Sequence, residues 1–415
     1  MIRLMVRGSL LFFLALWIIL PGAGVAAQIT RPVVVLSPGN GLNEGAGVID
    51  PGAVKGDLTE KDINLEVAQR AQEYLARCPL QVSLTRSGDD PNHTPADLAG
   101  IVNSHKPSLT VSIHTAARSP KKSGAQGWYT AGGFDDQNSR KLAGLLSANV
   151  KDWLSIPDVG DQPETKAPGG RLEIHAWEAP SALIEIGDIS TDTAALTTRR
   201  RDFGRAIANA VLDYLGLPLT CADGITFPSI IVNTYFPADR STNEIRLTND
   251  GLVPWATGPQ GVQLQNVSGL YGAKKTYPLT KDTPVGKEAA WQVAVSAPST
   301  PGIYQQVWQL QRDQQPAGGK ITAYLIVLPQ GAKELKDKID QNIQNLRQQS
   351  QEEVQKYIDQ LKQQVTDWVL QQAGQQIRQC FGGQALVGLV AVTFVTQAWR
   401  KRKKGGNPPE TYRGS

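Results

Sequence analysis

The sequence is poor in cysteine and histidine. Three cysteines, Cys78, Cys221 and Cys380, are spread over 415 residues. That number supplies neither the dense disulfide framework of a small secreted domain nor a thiolate metal cluster. Four histidines, at 93, 105, 114 and 175, leave few candidates for an imidazole metal site. No interior block of basic residues is present either. The 42 Lys and Arg stand against 38 Asp and Glu, a balance too even to track a phosphate backbone, so nucleic acid is excluded as the main partner. At 40% hydrophobic and 19% charged the composition is globular, and the length suits two or three domains.

Apolar segments mark both ends. Arg3 and Arg7 precede the run Leu10 to Leu20, and Val25-Ala26-Ala27 offers a cleavage site, so residues 1–27 read as an export signal peptide, with an uncleaved anchor as the alternative. Phe381 to Trp399 carries no charge and is followed by Arg400-Lys401-Arg402-Lys403-Lys404. At about 1.5 Å per residue this stretch just crosses a hydrocarbon core of roughly 30 Å. The expectation is a transmembrane helix at 381–399, a basic cytoplasmic tail at 400–415 and a body outside the cytoplasm, in the cell envelope. An apolar helix packed against protein is the competing reading.

Between these ends the texture changes twice. Over residues 31–218 apolar strands (Val33 to Leu36, Leu80 to Leu84, Leu109 to Ile113, Ala182 to Ile186) alternate with helical periodicity (Asn64 to Arg77, Gln137 to Trp153, Arg201 to Leu215). This pattern predicts an α/β domain with a mostly parallel sheet and flanking helices. Over 224–330, short β-rich runs separated by Gly, Pro, Asn and Asp predict a β-sandwich. That segment lacks any grouping of His, Cys and carboxylates, which favours binding or spacing over catalysis. The stretch 332–379 is rich in Gln; from Lys333 to Gln372 it lacks Gly and Pro and carries apolar residues at 335, 339, 343, 346, 354, 357, 361, 365 and 368. It reads as one long amphipathic helix. Self-association as a coiled-coil stalk through 333–372 and folding back onto the domains both stay open. Cys78 ends the first predicted helix and Cys221 follows the last one of the α/β domain, so an exported chain is expected to join them as a disulfide.

The chemistry concentrates in the first domain. Ser37-Pro38-Gly39-Asn40-Gly41 follows the first strand, then come Asp50-Pro51-Gly52-Ala53 and Glu60-Lys61-Asp62-Ile63-Asn64-Leu65. Thr85-Arg86 follows the second strand, Ser112-Ile113-His114 ends the third, and Glu185-Ile186-Gly187 closes a later one. These pieces, in this order, resemble the zinc-dependent N-acetylmuramoyl-L-alanine amidases of the AmiC/CwlV type over about residues 32–216. The resemblance implies the amidase fold, a hydrolytic zinc site with an open position for water, and peptidoglycan as the substrate, cut at the amide between muramic acid and L-alanine. By that resemblance Glu60 and His114 are metal ligands and Glu185 is the catalytic general base.

One position departs from the pattern. Asn40 stands where a third ligand, a histidine, is expected, and an amide oxygen is a poor zinc ligand beside imidazole. The loop from Asn40 to Asp50 is longer than the family's, Ala116 replaces an Asn and Asp188 a Phe. His175 and Glu44 are the candidates for a substitute ligand, and Arg86 is the candidate charge partner of Glu185 if zinc is absent. The alternatives are therefore a tethered zinc amidase, a catalytically dead amidase-like domain that binds peptidoglycan or an envelope protein, and a scaffold working through its later segments. In 226–329, Asn249-Asp250-Gly251, Pro254-Trp255, Trp291 and Val307-Trp308-Gln309-Leu310 resemble the Ig-like FW domain, named for four tryptophans. Three have counterparts here, read first as core residues.

Overall fold

The computed structural model describes residues 31–364, apart from 46, 119–121, 168–171, 227–230, 347–352 and 354. The expected signal peptide, transmembrane helix and basic tail lie outside the described residues, as does Cys380. Among the described residues no helix is long and apolar enough to cross a membrane.

The first domain runs β1 (Val33–Pro38), a short hairpin of β2 (Val54–Lys55) and β3 (Leu58–Thr59), α1 (Glu60–Leu75), β4 (Gln81–Leu84), α2 (Leu98–Ser104) and β5 (Leu109–Ala116). It continues through β6 (Ala125–Tyr129), α3 (Asp136–Leu154), β7 (Asp158–Pro163), β8 (Ser181–Asp188), α4 (Thr193–Thr198) and α5 (Arg200–Leu215). Its six-stranded sheet has the order β4-β1-β5-β8-β6-β7. Alternation along the strands separates two faces. Val34, Leu36, Val111, Ile113, Ile184 and Ile186 bury against the apolar stripes of α1, α3 and α5. Val35 and Leu183 bury on the other side with Leu98, Val102, Ile174 and Trp177. Helix α1 begins at a Thr59 cap whose hydroxyl accepts from the Asp62 N–H, and α5 ends on Gly216 in the left-handed conformation that glycine adopts without strain.

The mostly parallel expectation holds for β4, β1, β5 and β8. The β6 strand is antiparallel to β8, and β7 runs parallel to β6, so the sheet is mixed. The cause is the short link between β5 and β6, since a parallel return needs a crossover of a dozen or more residues. The Cys78–Cys221 disulfide is present and closes a separation of 143 residues.

The second unit begins with β9 (Ile225–Thr226), β10 (Ile231–Tyr235), β11 (Arg240–Asn249), β12 (Val262–Ser268) and β13 (Thr276–Pro278). It ends with β14 (Glu288–Ser296), β15 (Gly302–Arg312) and β16 (Gln315–Val327). Sheets of order β10-β16-β15-β12-β13 and β14-β11-β9 enclose a core that contains Trp255, Trp291 and Trp308. All three tryptophans are packing residues, as first read.

Helix α6 (Lys333–Leu346) and the helical residues 355–364 correct the single long helix. Asn342 Nδ2 donates to the Tyr357 hydroxyl at 3.1 Å, whereas a continuous helix would separate these residues by about 22 Å. The two segments lie side by side, with Ile339, Ile343, Ile358 and Leu361 buried against Val232, Tyr324, Ile326 and Leu328. The apolar stripe over these residues is thus consumed by the chain's own sheet, and the folded-back reading replaces the stalk there.

The two units share a polar junction. Asp250, after β11, is 7% exposed at its side chain. It accepts from Tyr74 Oη at 3.0 Å, Arg77 at 3.1 Å, Arg201 at 2.7 Å and Arg205 at 2.9 Å. Beside it Asp223 takes two bonds from Arg312, at 2.6 and 3.1 Å.

Candidate functional site

The site forms at the carboxyl ends of β1, β5 and β8, the edge where open α/β sheets bind ligands. Parallel register makes His114 and Glu185 neighbours across β5 and β8. From β1 the chain turns at Gly39, whose N–H reaches the Ile113 carbonyl at 2.9 Å. A Cβ on Gly39 would fall 2.2 Å from the His114 ring, so only glycine lets the backbone pass. Asn40 follows at φ 62°, in a region asparagine tolerates better than most residues.

Glu60, the first residue of α1, points into this corner. Its Oε1 accepts from the Thr115 N–H at 3.1 Å, its Oε2 from the Ala53 N–H at 2.9 Å. His114 Nδ1 lies 3.0 Å from Glu60 Oε1, and Nε2 lies 2.9 Å from Glu173 Oε1. Ser112 Oγ donates to the same Glu173 oxygen at 2.7 Å. Burial alone would lower the imidazole pKa, but Glu173 and Glu60 outweigh it and raise His114 well above its ordinary value. Burial would raise the two carboxylates, and His114 pulls both below their usual range. The three groups form a charged cluster held at both ends by backbone and hydroxyl donors.

Asn40 reaches the same corner. Its Nδ2 donates to Asp50 Oδ2 at 2.6 Å, while Oδ1 is buried without a hydrogen-bond partner. A Cβ on Gly52, at φ 64°, would sit 2.7 Å from Glu60 Oε2 and 2.8 Å from Asn40 Cγ. The Asp50-Pro51-Gly52-Ala53 turn therefore packs Asn40 and Glu60 around one glycine.

The remaining sequence candidates are placed differently. Arg86 does not pair with Glu185: its guanidinium donates to the carbonyls of Pro38, Gly39, Lys61 and Gly88 and braces the turn that carries Asn40. The partner of Glu185 is Arg118, at 2.7 Å. Arg118 is itself fixed by the carbonyls of Gly124 at 2.8 Å and Lys122 at 3.0 Å, and by its own N–H on Asp188 at 2.7 Å. His175 Nδ1 is bound to the fully buried Glu164 at 2.5 Å, in the turn that carries Glu173, so that nitrogen is committed to holding the turn. Glu44 is exposed and takes no part in the hydrogen bonds that join Asn40, Glu60 and His114.

The donor set does not fit a zinc-hydrolase centre. Of three protein ligands, only Glu60 and His114 are zinc-binding groups. The third position is Asn40, which offers a neutral amide oxygen, a poor zinc ligand beside imidazole. Among the described residues no three His, Cys, Asp or Glu side chains are placed to hold a metal ion.

A strand-end His and Glu beside a helix-borne Glu, on a mixed sheet covered on both faces, define an amidase-like α/β domain. Residues 34–215 match the sequence profile of the N-acetylmuramoyl-L-alanine amidases; this stretch of the chain is a domain of that family. The chain is similar to the germination-specific N-acetylmuramoyl-L-alanine amidase of Bacillus subtilis (strain 168), 28% identical over 194 residues, 43% of this chain and 76% of that protein. It is also similar to the uncharacterized protein YqiI of the same organism, 26% identical over 202 residues, 48% of this chain and 95% of that one. Among solved structures, the catalytic domain of CwlV from Bacillus (Paenibacillus) polymyxa var. colistinus shares 24% identity and a TM-score of 0.39, over 45% of this chain and all of that domain.

Proposed function

We propose that this is a cell-envelope protein whose amidase-family domain engages peptidoglycan at the amide joining muramic acid to L-alanine, and that the cleft binds this junction without cutting it. The observation that carries the second half is Asn40. It stands in the ligand corner beside Glu60, donates a hydrogen bond from its Nδ2 to Asp50 and contributes no imidazole. Losing one of three ligands removes the open tetrahedral centre that activates water. The ion pair of Glu185 with Arg118 supports the same reading, because the guanidinium occupies a carboxylate oxygen that a general base would turn toward water.

The rest of the chain gives this domain a position. The apolar segments at 1–27 and 381–399 export it and tether it to a membrane, and the two-sheet unit with its three buried tryptophans serves as an Ig-like, FW-type spacer. The test is elemental analysis and peptidoglycan co-sedimentation of the protein beside Asn40→His and Glu60→Ala. The unaltered protein is expected to carry no stoichiometric zinc, to sediment with peptidoglycan and to release no peptide from it. Stoichiometric zinc that is lost in Glu60→Ala, together with peptide release, would make the protein a working hydrolase and sink the binding reading.

A further inference from the structure

The two-sheet unit meets the first domain at one end, through Asp250 after β11 and Asp223 against Arg312 at the close of β15. At its opposite end β11 begins beside the end of β14, with Arg240 paired to Ser296, and β15 begins beside the end of β16, with Gly302 paired to Val327. There the loop from β12 to β13 carries two of the large apolar side chains most open to solvent among the described residues, Val267 at 46% and Leu270 at 50%. Tyr271 and Tyr304 stand beside them, half-buried, with their rings edge-on and 5.5 Å between centroids.

The loop is locked in place. Gly269, at φ 73°, runs so close to β15 that a Cβ would fall 2.1 Å from the Gln305 carbonyl oxygen, and Gly272, at φ 82°, would put one 2.5 Å from Ser296 Oγ. Between them Tyr271 is held at φ 39°, which bulky residues rarely adopt. Three successive carbonyls are answered from within the protein. That of Gly269 accepts from Asn266 Nδ2 at 3.4 Å, that of Leu270 from the buried Gln306 Nε2 at 3.0 Å and the Ala273 N–H at 2.8 Å, and that of Tyr271 from the Ser296 N–H at 2.7 Å. A tip with its carbonyls already paired can meet hydrocarbon without stripping water from an open acceptor. Arg240, Lys274 and Lys275 are exposed around it, and the neighbouring carboxylate, Asp239, accepts from the Phe236 N–H at 2.7 Å. The first turn of α6, at the far edge of this end, adds one charge of each sign, Lys333 and Glu334.

The chain also leaves by this end. Helix α6 starts soon after β16 closes and runs down the sheet, where Asp340 meets Thr234. The segment 355–364 starts at Tyr324, which donates to Gln355, and buries Leu361 in one cluster with Leu328 and Ala332. The outward positions further down β16 are Thr322 and Lys320, which offer no apolar cover. The segment therefore climbs back, and residues 365–380 lead from there to the uncharged stretch 381–399.

We propose that the 267–272 tip rests on an anionic phospholipid bilayer, with Val267 and Leu270 toward the acyl boundary, the two tyrosines among the headgroups, and Arg240, Lys274 and Lys275 against lipid phosphates. The choice of surface rests on the membrane tether read above at 381–399. A protein partner is a poorer occupant, because two apolar side chains ringed by cations fall far short of the roughly 800 Å² per side that a stable interface buries. The contact gives the tethered chain a direction: β11, ten residues and about 33 Å long, separates the lipid surface from the junction with the first domain.

The test reconstitutes the full chain in vesicles of phosphatidylethanolamine and phosphatidylglycerol with brominated acyl chains. The emission added by Leu270→Trp, taken as the difference from the unaltered protein, should be quenched by roughly half, whereas that added by Val48→Trp, at a site 58% exposed in the first domain, should be untouched. Lys274→Glu/Lys275→Glu, or phosphatidylcholine in place of phosphatidylglycerol, should reduce the quenching severalfold. Hydrogen exchange reads the same contact in the unaltered protein: residues 267–275 should be protected by vesicles, and the protection should vanish in Val267→Asp/Leu270→Asp. A chain that vesicles retain through an alkaline wash, with the added tryptophan unquenched and the loop unprotected, would overturn the proposal and leave the tether standing. Quenching in a chain that the wash removes would sink the tether reading and keep the tip as a peripheral lipid contact. Protection without quenching would assign the loop to a protein contact and overturn the lipid reading.

Discussion

Replacing Asp250 by alanine should uncouple the two units. In the intact protein this carboxylate accepts from Tyr74, Arg77, Arg201 and Arg205, all from α1, α5 or the residues just after α1. Removing one member of a buried ion pair costs about 3–5 kcal/mol, because the remaining charge stays buried. Here the penalty is smaller for some partners: Arg201 is 40% exposed and Arg77 28%, so water rehydrates them, whereas Arg205 at 8% is stranded. A cost of about 2–4 kcal/mol follows after that discount. For a domain of this size it corresponds to a fall in Tm of roughly 5–15 °C. Calorimetry should show the unfolding endotherm moving down and splitting, with proteolysis appearing between residues 218 and 231. A single transition within about 2 °C of the unaltered protein would refute the assignment of the junction to this residue.

Four further outcomes are expected. The pKa of Asp250 is raised by burial but lowered more by Arg201 and Arg77, ending below its ordinary value of 3.8. The stability it contributes is therefore present above that value and lost as pH falls through the depressed one; the stability difference between the protein and Asp250→Asn should be constant from pH 7 to 5 and shrink only below about pH 4, and a difference unchanged at pH 3 would count against the ion network. Opening the 143-residue separation closed by the disulfide with Cys221→Ser removes up to about 5 kcal/mol by loop entropy; a thermal scan that does not move would contradict this. Ile358→Asp places a charge against Tyr324 and Ile326, so residues 333–364 should become protease-sensitive while the first domain keeps its Tm; full resistance would show that the packing is not what holds them. In Glu173→Gln the His114 ring loses an ionised neighbour at 2.9 Å, and its NMR titration should move to lower pH; an unshifted curve would mean that Glu173 does not face the ring in solution.

The sequence makes the first domain's skeleton legible because its buried strands are rich in Val, Leu and Ile and its helices carry clean apolar stripes. Strands β6 and β7, read as Ala-Gln-Gly-Trp-Tyr and Asp-Val-Gly-Asp-Gln-Pro, offer neither alternation nor a β-branched run, so the antiparallel edge is invisible until the sheet is assembled. Glu60, His114 and Glu185 are visible through ordered motifs. Glu173 is not, because it acts across 59 residues from a 3-10 turn seated by Ile174 and Trp177. The one available signal is that seat: a carboxylate next to an apolar residue and close to a tryptophan, just ahead of a buried strand. Arg118 was likewise hidden, although a lone arginine just past the end of β5 stands where the site had to be. Arg86 suits Glu185 on paper because any arginine answers a carboxylate, whereas the fold places this one among carbonyls.

Helix α1 has Glu60 in its first turn and Tyr74 in its last, so one rod of 16 residues, about 24 Å long, carries the cleft at one end and the junction at the other. The second unit consequently grips the first by its heel. The mouth of the cleft is thereby set a helix length away from the junction. Because α1 is packed on the strands that carry His114 and Glu185, grip and cleft belong to one rigid body, and the spacing between them is the length of a single helix.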